Sequence, residues 1–323
     1  MLEWSSVKIS KHEYGLLDGS KAFLVQRVGD GSIITRFEKT PLPANPTDVI
    51  CPHFLELKWA TGCPYSCAWC YLNGTLRFAP KKSRPYVKPY DKIEQHVRTF
   101  LENVGGSGEL LNTGELADSL MNERNGVPFS RFIIPLFQEQ KIHKVLFVTK
   151  SNYIKNLLEI NGQDRVIISF SLNADVVARR FETGAPPVVE RIEAASKLSK
   201  AGYEVRIRID PMVPVLNWRD QYLRLADDIF SQFTPSWITL GSLRGLQSTI
   251  NMATDKSWIS YLSEKSNWGK RIDSDTRYLM YDSLAKHFKE EFNYTNVALC
   301  KETLSIWNRL GMDYRKIKCN CLL

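Results

Sequence analysis

No stretch of this 323-residue sequence approaches the roughly 20 consecutive apolar residues that a membrane-spanning helix needs. The opening Met1-Leu2-Glu3-Trp4-Ser5 has no basic segment leading into an apolar run, so no signal peptide is expected. Cysteine is scarce and uneven. The seven residues are an odd number without a regular framework, and none lies between Cys70 and Cys300, which excludes a secreted disulfide scaffold and points to a reducing, cytoplasmic setting. There is no internal repeat, low-complexity tract, helix-turn-helix or finger pattern, which removes solenoids and the common DNA-reading modules. What remains is an ordinary soluble composition, 43% hydrophobic and 24% charged, long enough for one large α/β domain with extensions or two small ones.

Three of the cysteines fall in Cys63-Pro64-Tyr65-Ser66-Cys67-Ala68-Trp69-Cys70. The C-x3-C-x2-C spacing, with Pro64 and Ser66 favouring a loop, lets three thiolates converge on one inorganic cluster. Three ligands leave one iron of a four-iron cluster without a protein ligand, and such an open position marks a catalytic site. A closed zinc site normally takes four ligands, and no cysteine or histidine follows at finger distance; His53, upstream, is the near candidate. A group of buried structural thiols is the other alternative.

From Phe54 onward strand and helix patterns alternate. Strands are predicted at Phe54–Ala60, Leu110–Asn112, Val145–Val148, Val166–Phe170, Val205–Ile209 and Trp237–Leu240, with helices at Asp91–Glu102, Phe129–Gln140, Asn152–Glu159, Pro187–Ala201 and Arg219–Gln232. Alternation of this kind implies parallel βαβ units. Residues 1–50 read as an irregular extension with a few short strands, 51–250 as the main α/β unit, and 251–323 as a capping segment with a helix at Asp275–Phe292, a short strand at Thr295–Cys300 and a helix at Glu302–Leu310.

The cysteine spacing, with Trp69 before the third cysteine, resembles the radical S-adenosylmethionine (SAM) superfamily. Cys70-Tyr71-Leu72-Asn73-Gly74-Thr75, Phe147-Val148-Thr149-Lys150, Phe170-Ser171-Leu172-Asn173-Ala174-Asp175 and Arg191-Ile192-Glu193-Ala194-Ala195 resemble, in this order, its spore photoproduct lyase branch, also called DNA repair photolyase-like proteins. The resemblance covers roughly residues 55 to 245. It implies a partial (β/α)6 TIM-like barrel, a 4Fe-4S cluster on Cys63, Cys67 and Cys70, and SAM cleaved to a 5′-deoxyadenosyl radical that takes hydrogen from a thymine-type base. It also implies a reducing partner such as flavodoxin or ferredoxin. Lys150 looks like the lysine that meets the SAM carboxylate, and Ser171 like its strand-end serine, with Trp69 and Asn173 beside them. Glu115 or Asp118, after the second strand, suits the SAM ammonium, or else is an acidic helix start. Arg206, Arg208 and Asp210 alternate on one strand face; Arg208 is the candidate for SAM or substrate, against an internal Arg–Asp salt bridge.

The formal charge of +8 comes from 43 basic against 35 acidic residues. Between Gly74 and Tyr90 there is no acidic residue, but Arg77, Lys81, Lys82, Arg84 and Lys88 interleave with Phe78, Tyr86 and Tyr90, which suits a DNA strand near the cluster as well as a solvated basic loop. The sequence departs from the family at one point. The segment after strand two, where the family carries its hydrogen-donating cysteine, has none. Tyr71, Cys300, Cys319 or Cys321 is then the candidate donor, and the closing Cys-x-Cys reads as a mobile thiol pair, a second metal site or an unpaired tail. The missing donor favours modification or rearrangement of the thymine over repair. Radical chemistry on a peptide or small molecule, and a non-catalytic iron–sulfur or zinc DNA-binding protein, are the other readings.

Overall fold

The computed structural model describes residues 7–78, 85–104, 106–124 and 126–323. Ten strands form one sheet in chain order: β1 (Ile9–Gly15), β2 (Lys21–Val28), β3 (Ile34–Arg36), β4 (Leu55–Leu57), β5 (Leu110–Asn112), β6 (Lys144–Thr149), β7 (Val166–Ser171), β8 (Glu204–Met212), β9 (Ile238–Ser242) and β10 (Val297–Leu299). The β1 to β4 pairings are antiparallel, and β4 to β10 pair in parallel. The expected α/β alternation is therefore present. It is longer than six strands: the short strand near Cys300 is the seventh parallel strand, with Ile238 opposite Val297. The strands between residues 9 and 36 also continue the same sheet instead of forming an irregular wrapping.

Period-2 alternation divides the sheet's two faces. Leu111, Val145, Phe147, Ile168, Phe170, Val205, Ile207, Ile238 and Leu240 belong to the large core formed with the helices. The crossover helices include α1 (Tyr90–Asn103), α2 (Phe129–Gln138), α3 (Lys155–Glu159), α4 (Asp175–Phe181), α5 (Val188–Lys200) and α6 (Trp218–Phe230). Three of them start directly after Pro89, Pro128 and Pro187, whose fixed φ of −51° to −58° sets the chain turning into the helix. α3 starts later than its apolar pattern suggests. Thr149 and Ser151 side chains accept from the N–H groups of Ser151 and Tyr153 and hold the approach out of helical geometry.

The opposite, inner face is filled by the chain's last residues. Asn320 is fully buried; its Nδ2 donates to Ser169 Oγ (2.9 Å) and Ile207 O (2.8 Å), and its Oδ1 accepts from Thr239 Oγ1 (2.8 Å). Its N–H donates to Thr239 Oγ1 (3.0 Å), and its carbonyl accepts from Arg206 Nη1 (3.1 Å). Leu323 packs on Leu110, Leu146 and Ile167. Of the alternatives for the closing segment, the unpaired tail does not hold: every polar group of Asn320 is matched to a strand residue.

Asn320→Ala removes the side-chain hydrogen bonds to Ser169, Ile207 and Thr239 while keeping the backbone N–H bond to Thr239, so unfolding in urea is expected to show a loss of about 2–4 kcal/mol. Trypsin cleavage after Lys318 is expected to accelerate in the same variant. An unchanged urea midpoint would mean that the segment does not hold the inner face.

Candidate active site

The three-cysteine loop follows β4, at the carboxyl end of the first parallel strand. Two of its residues, Ser66 and Cys67, pair antiparallel with Thr183 and Glu182, and Ala68 N–H donates to Phe181 O (2.8 Å). The loop is therefore fastened to the segment that ends α4. Cys67 is buried, and Cys63 and Cys70 are partly buried. Burial pushes the Cys63 and Cys67 thiols up to about 12, and raises Cys70 as well. Metal binding at these thiols would displace their protons to solvent. Trp69 is buried and packs on Phe181 with ring centroids 5.1 Å apart, so its role is to anchor the loop.

Beneath the loop lies a buried charge group that the sequence pattern did not single out. Glu182 accepts from Arg191 Nη1 at 2.6 Å, both side chains being 1% exposed, and its other oxygen lies 3.8 Å from Lys150 Nζ. Burial opposes the charge on Lys150, but Glu182 and the Cys67 thiol hold its pKa above the ordinary lysine value. A signal for the group was available: Arg191 shares the helix stripe of Val188, Ile192, Ala195 and Leu198, and an arginine on an apolar stripe needs a buried partner. Arg191 also donates to the Ser171 carbonyl (3.2 Å), which joins β7 to the same network.

Asp118 is engaged by the backbone and a threonine of its own surroundings. Its carboxylate accepts from Thr149 Oγ1 (2.7 Å), Lys150 N (2.7 Å) and Leu120 N (3.0 Å), so it shapes the end of β6 that carries Lys150. Glu115 is held by Asn112 Nδ2 (3.0 Å), on a turn where Gly114 is required because a Cβ would sit 2.4 Å from Val148 Cβ. Asn173 is a correction to its expected cofactor contact. It is fully buried, Nδ2 donates to Pro211 O (2.8 Å), and Oδ1 accepts from Tyr222 Oη (2.8 Å) and Ala174 N (3.0 Å), so its amide is used by the fold.

On β8 the expected Arg–Asp pair is different. Asp210 pairs with both terminal nitrogens of Arg244 (3.1 and 3.0 Å), and although burial opposes its charge, Arg244 keeps its pKa below the usual carboxylate range. Arg206 is committed to Glu204 and to the tail carbonyls. Arg208 instead donates to Cys321 Sγ (3.1 Å), and its buried Nε has no partner. Around Arg208 stand Cys321, Cys300, Asp210 and Glu115, while Tyr71, directly after the cluster loop, has Glu115, Cys70 and Arg208 as neighbours. Cys51 and Cys319 pack against Cys321 with Phe54 and Phe37. Arg244 Nη2 reaches Cys300 Sγ (3.4 Å).

The structure thus brings Cys70, Tyr71, Glu115, Arg208, Cys300, Cys319 and Cys321 into one continuous neighbourhood, from chain segments more than 200 residues apart. The Cys319 thiol donates to Cys321 and, with Arg208, lowers the Cys321 pKa against the effect of burial; Cys319 is raised correspondingly. Among the described residues no three His, Cys, Asp or Glu side chains are gathered closely enough to hold a single metal ion.

Of the basic stretch, Arg77, the 83% exposed Phe78 and Tyr86 lie on the surface, with the Arg77 guanidinium 4.5 Å from the Phe78 ring centroid. Lys88 and Tyr90 are committed inward, Lys88 to Ser32 O and Tyr90 to Val127 O, and burial lowers the Lys88 pKa to about 8. Lys81, Lys82 and Arg84 lie outside the described residues. Among the described residues no helix is long and apolar enough to cross a membrane.

A parallel α/β sheet with three cysteines on the loop after its first parallel strand, and a buried-carboxylate-supported lysine after the third, defines the radical SAM type of fold. The family model for spore photoproduct lyase matches residues 54–239. The chain belongs to the spore photoproduct lyase family. It is 30% identical over 193 residues to spore photoproduct lyase of Bacillus subtilis, a match covering 54% of this chain and 50% of that protein. It is 25% identical over 173 residues to the protein of the same name from Clostridium acetobutylicum, covering 53% and 50%. The chain thus matches about half the length of these relatives. Among solved structures, spore photoproduct lyase complexed with dinucleoside spore photoproduct superposes with a TM-score of 0.63 at 18% identity, covering 75% of this chain and 74% of that one. SuiB of Streptococcus suis bound to S-adenosylmethionine gives 0.50 at 14% identity, covering 82% and 52%. Both likenesses concern the fold.

In metal-free protein, thiolate absorbance followed against pH is expected to show one thiol ionising below the ordinary range and the cluster-loop thiols ionising well above it. Cys319→Ala or Arg208→Met should move the early step upward. An early step that survives both changes would contradict the assignment to Cys321.

Proposed function

We propose that this chain is a radical SAM enzyme acting on a thymine-type base in DNA, by repair or by modification of the base. The observation that carries the reading is the continuity from the three-thiol loop through Tyr71 and Arg208 to the thiol pair on the inner face of the sheet. The solved relatives bound to a dinucleoside spore photoproduct and to S-adenosylmethionine support the choice of substrate and cofactor.

The residues present fit the group. Cys63, Cys67 and Cys70 would hold a 4Fe-4S cluster, since they supply three thiols on one loop. Arg208 Nε, buried without a partner, and Lys150 are cations available to an anionic cofactor or substrate group. The bound cluster supplies the electron that cleaves SAM and so generates the radical that takes hydrogen from the base. Lys150, held charged by Glu182, would neutralise the SAM carboxylate, and Glu115 would accept from its ammonium. Ser171 closes the same end of β7. Cys319 retains its proton beside Cys321, so it is the thiol suited to return a hydrogen atom to a substrate radical, with Tyr71 and Cys300 in the same neighbourhood. The surface stretch at Arg77, Phe78 and Tyr86 would meet the DNA strand, and an external reductant such as flavodoxin or ferredoxin would supply electrons in the cytoplasm.

The test is anaerobic cluster reconstitution followed by incubation with SAM, a reductant and ultraviolet-damaged spore-type DNA or undamaged DNA in deuterium oxide, with nucleosides analysed by mass spectrometry. Release of 5′-deoxyadenosine or a DNA product bearing one deuterium is expected, and Cys319→Ala/Cys321→Ala should lose that product while keeping cofactor cleavage. Cofactor cleavage with no change in either DNA, and no salt-sensitive DNA binding, would turn the reading to a peptide or small-molecule substrate.

A further inference from the structure

At the carboxyl end of β9, beside the thiol neighbourhood just described, lies a pocket of about 100 Å³. Its walls come from separate segments: Lys39 and Thr40 follow β3, Arg244 follows β9, Trp268 and Arg271 lie on the hairpin that ends near residue 271, and Lys301 follows β10. Four cations therefore face one space.

The acids on the same walls are already engaged. Glu302 accepts from Tyr281 Oη (2.9 Å) and lies 3.2 Å from Arg277 Nε, while Asp48 accepts from the N–H groups of Ala44 (2.9 Å) and Asn45 (2.7 Å). Arg244 is neutralised by Asp210. The other cations are not matched in this way. Lys39 and Lys301 form no ion pair among the described residues, and Lys301 Nζ lies over the Phe37 ring, 4.7 Å from its centroid. Arg271, with a side chain only 11% exposed, has Glu264 no nearer than 3.7 Å and a buried Nε without a partner. Thr40 is 2% exposed, and its Oγ1 is likewise buried without a partner.

Buried hydrogen-bonding groups without partners are rare because each costs about 1–3 kcal/mol. Two of them on the wall of one pocket, with two unpaired lysines, describe a site whose missing component is an anion with several acceptor oxygens. We propose that this pocket binds a phosphate group, and, resting on the reading given above, that the phosphate is one of the DNA backbone next to the target base. Its position supports that assignment. Arg244 forms part of the pocket wall and also touches Asp210 and Cys300, which border Arg208, so the pocket adjoins the thiol neighbourhood. Trp268 adds an aromatic surface on which a neighbouring sugar or base can pack.

The test measures binding of a short single-stranded oligothymidylate to the full chain by fluorescence anisotropy at several salt concentrations, with inorganic phosphate and thymidine 5′-phosphate as competitors. Lys39→Gln and Lys301→Gln are each expected to weaken binding several-fold at low salt and to reduce the salt slope by about one. Thr40→Val should weaken binding with the slope unchanged, and Lys316→Gln, at an 85% exposed side chain elsewhere, should behave as the wild type. Binding of inorganic phosphate or the mononucleotide that is lost in the same variants, without oligonucleotide binding, would support the phosphate site while removing the DNA reading. Wild-type affinity and slope in Lys39→Gln/Lys301→Gln for every probe, with an unchanged thermal melt, would overturn the site. Cofactor cleavage in the same samples reports on the barrel chemistry separately.

Discussion

The Glu182 carboxylate is the constraint on which the site depends. It is fully buried, bonded to an equally buried Arg191, and placed on the short strand that pairs with Cys67. One residue thus sets the height of the cysteine loop through its backbone and the charge of Lys150 through its side chain. Buried ion pairs contribute little net stability compared with apolar packing, yet removing one partner costs about 3–5 kcal/mol because the other is left unpaired. The arrangement fits a role in position more than in stability. It presses a cation and three thiols into one corner, where neither could stay in place on a solvated loop.

A second constraint acts from the other side. The inner face of a parallel sheet must be filled, and here the filling is the chain's own closing segment, pinned by Asn320. That segment carries two thiols, at residues 319 and 321, while the loop after β5 carries none. Because Cys319 and Cys321 share a hydrogen bond beside Arg208, one sulfur keeps a proton and the other tends to release it. A pair in that state has both a hydrogen atom to give and a neighbouring sulfur to share the resulting radical.

Much of the scaffold was legible in the sequence because it rests on local pattern. The apolar runs at Val145–Val148 and Val166–Phe170 carry their burial on both faces, and the prolines before three helices mark their starts. The cysteine loop was legible for the same reason, since all its ligands lie within eight residues. What the pattern did not show was assembled across distance. Glu182 meets Arg191 and Lys150 only once α4 and the loop are paired, and nothing near Asn320 announces that it will lie between Ser169 and Thr239. The resemblance places Asn173 beside the cofactor; Tyr222, on a distant helix in the sequence, is what claims its side chain.

The central claim is that three protein thiols hold a cluster whose remaining iron is open to the cofactor. Electron–nuclear double resonance on the reconstituted, reduced protein with SAM labelled by nitrogen-15 at the amino group and oxygen-17 at the carboxylate tests it directly. The account predicts hyperfine coupling of both labels to the cluster. A cluster of the same nuclearity that shows neither coupling, with a fourth protein ligand in its place, would contradict it.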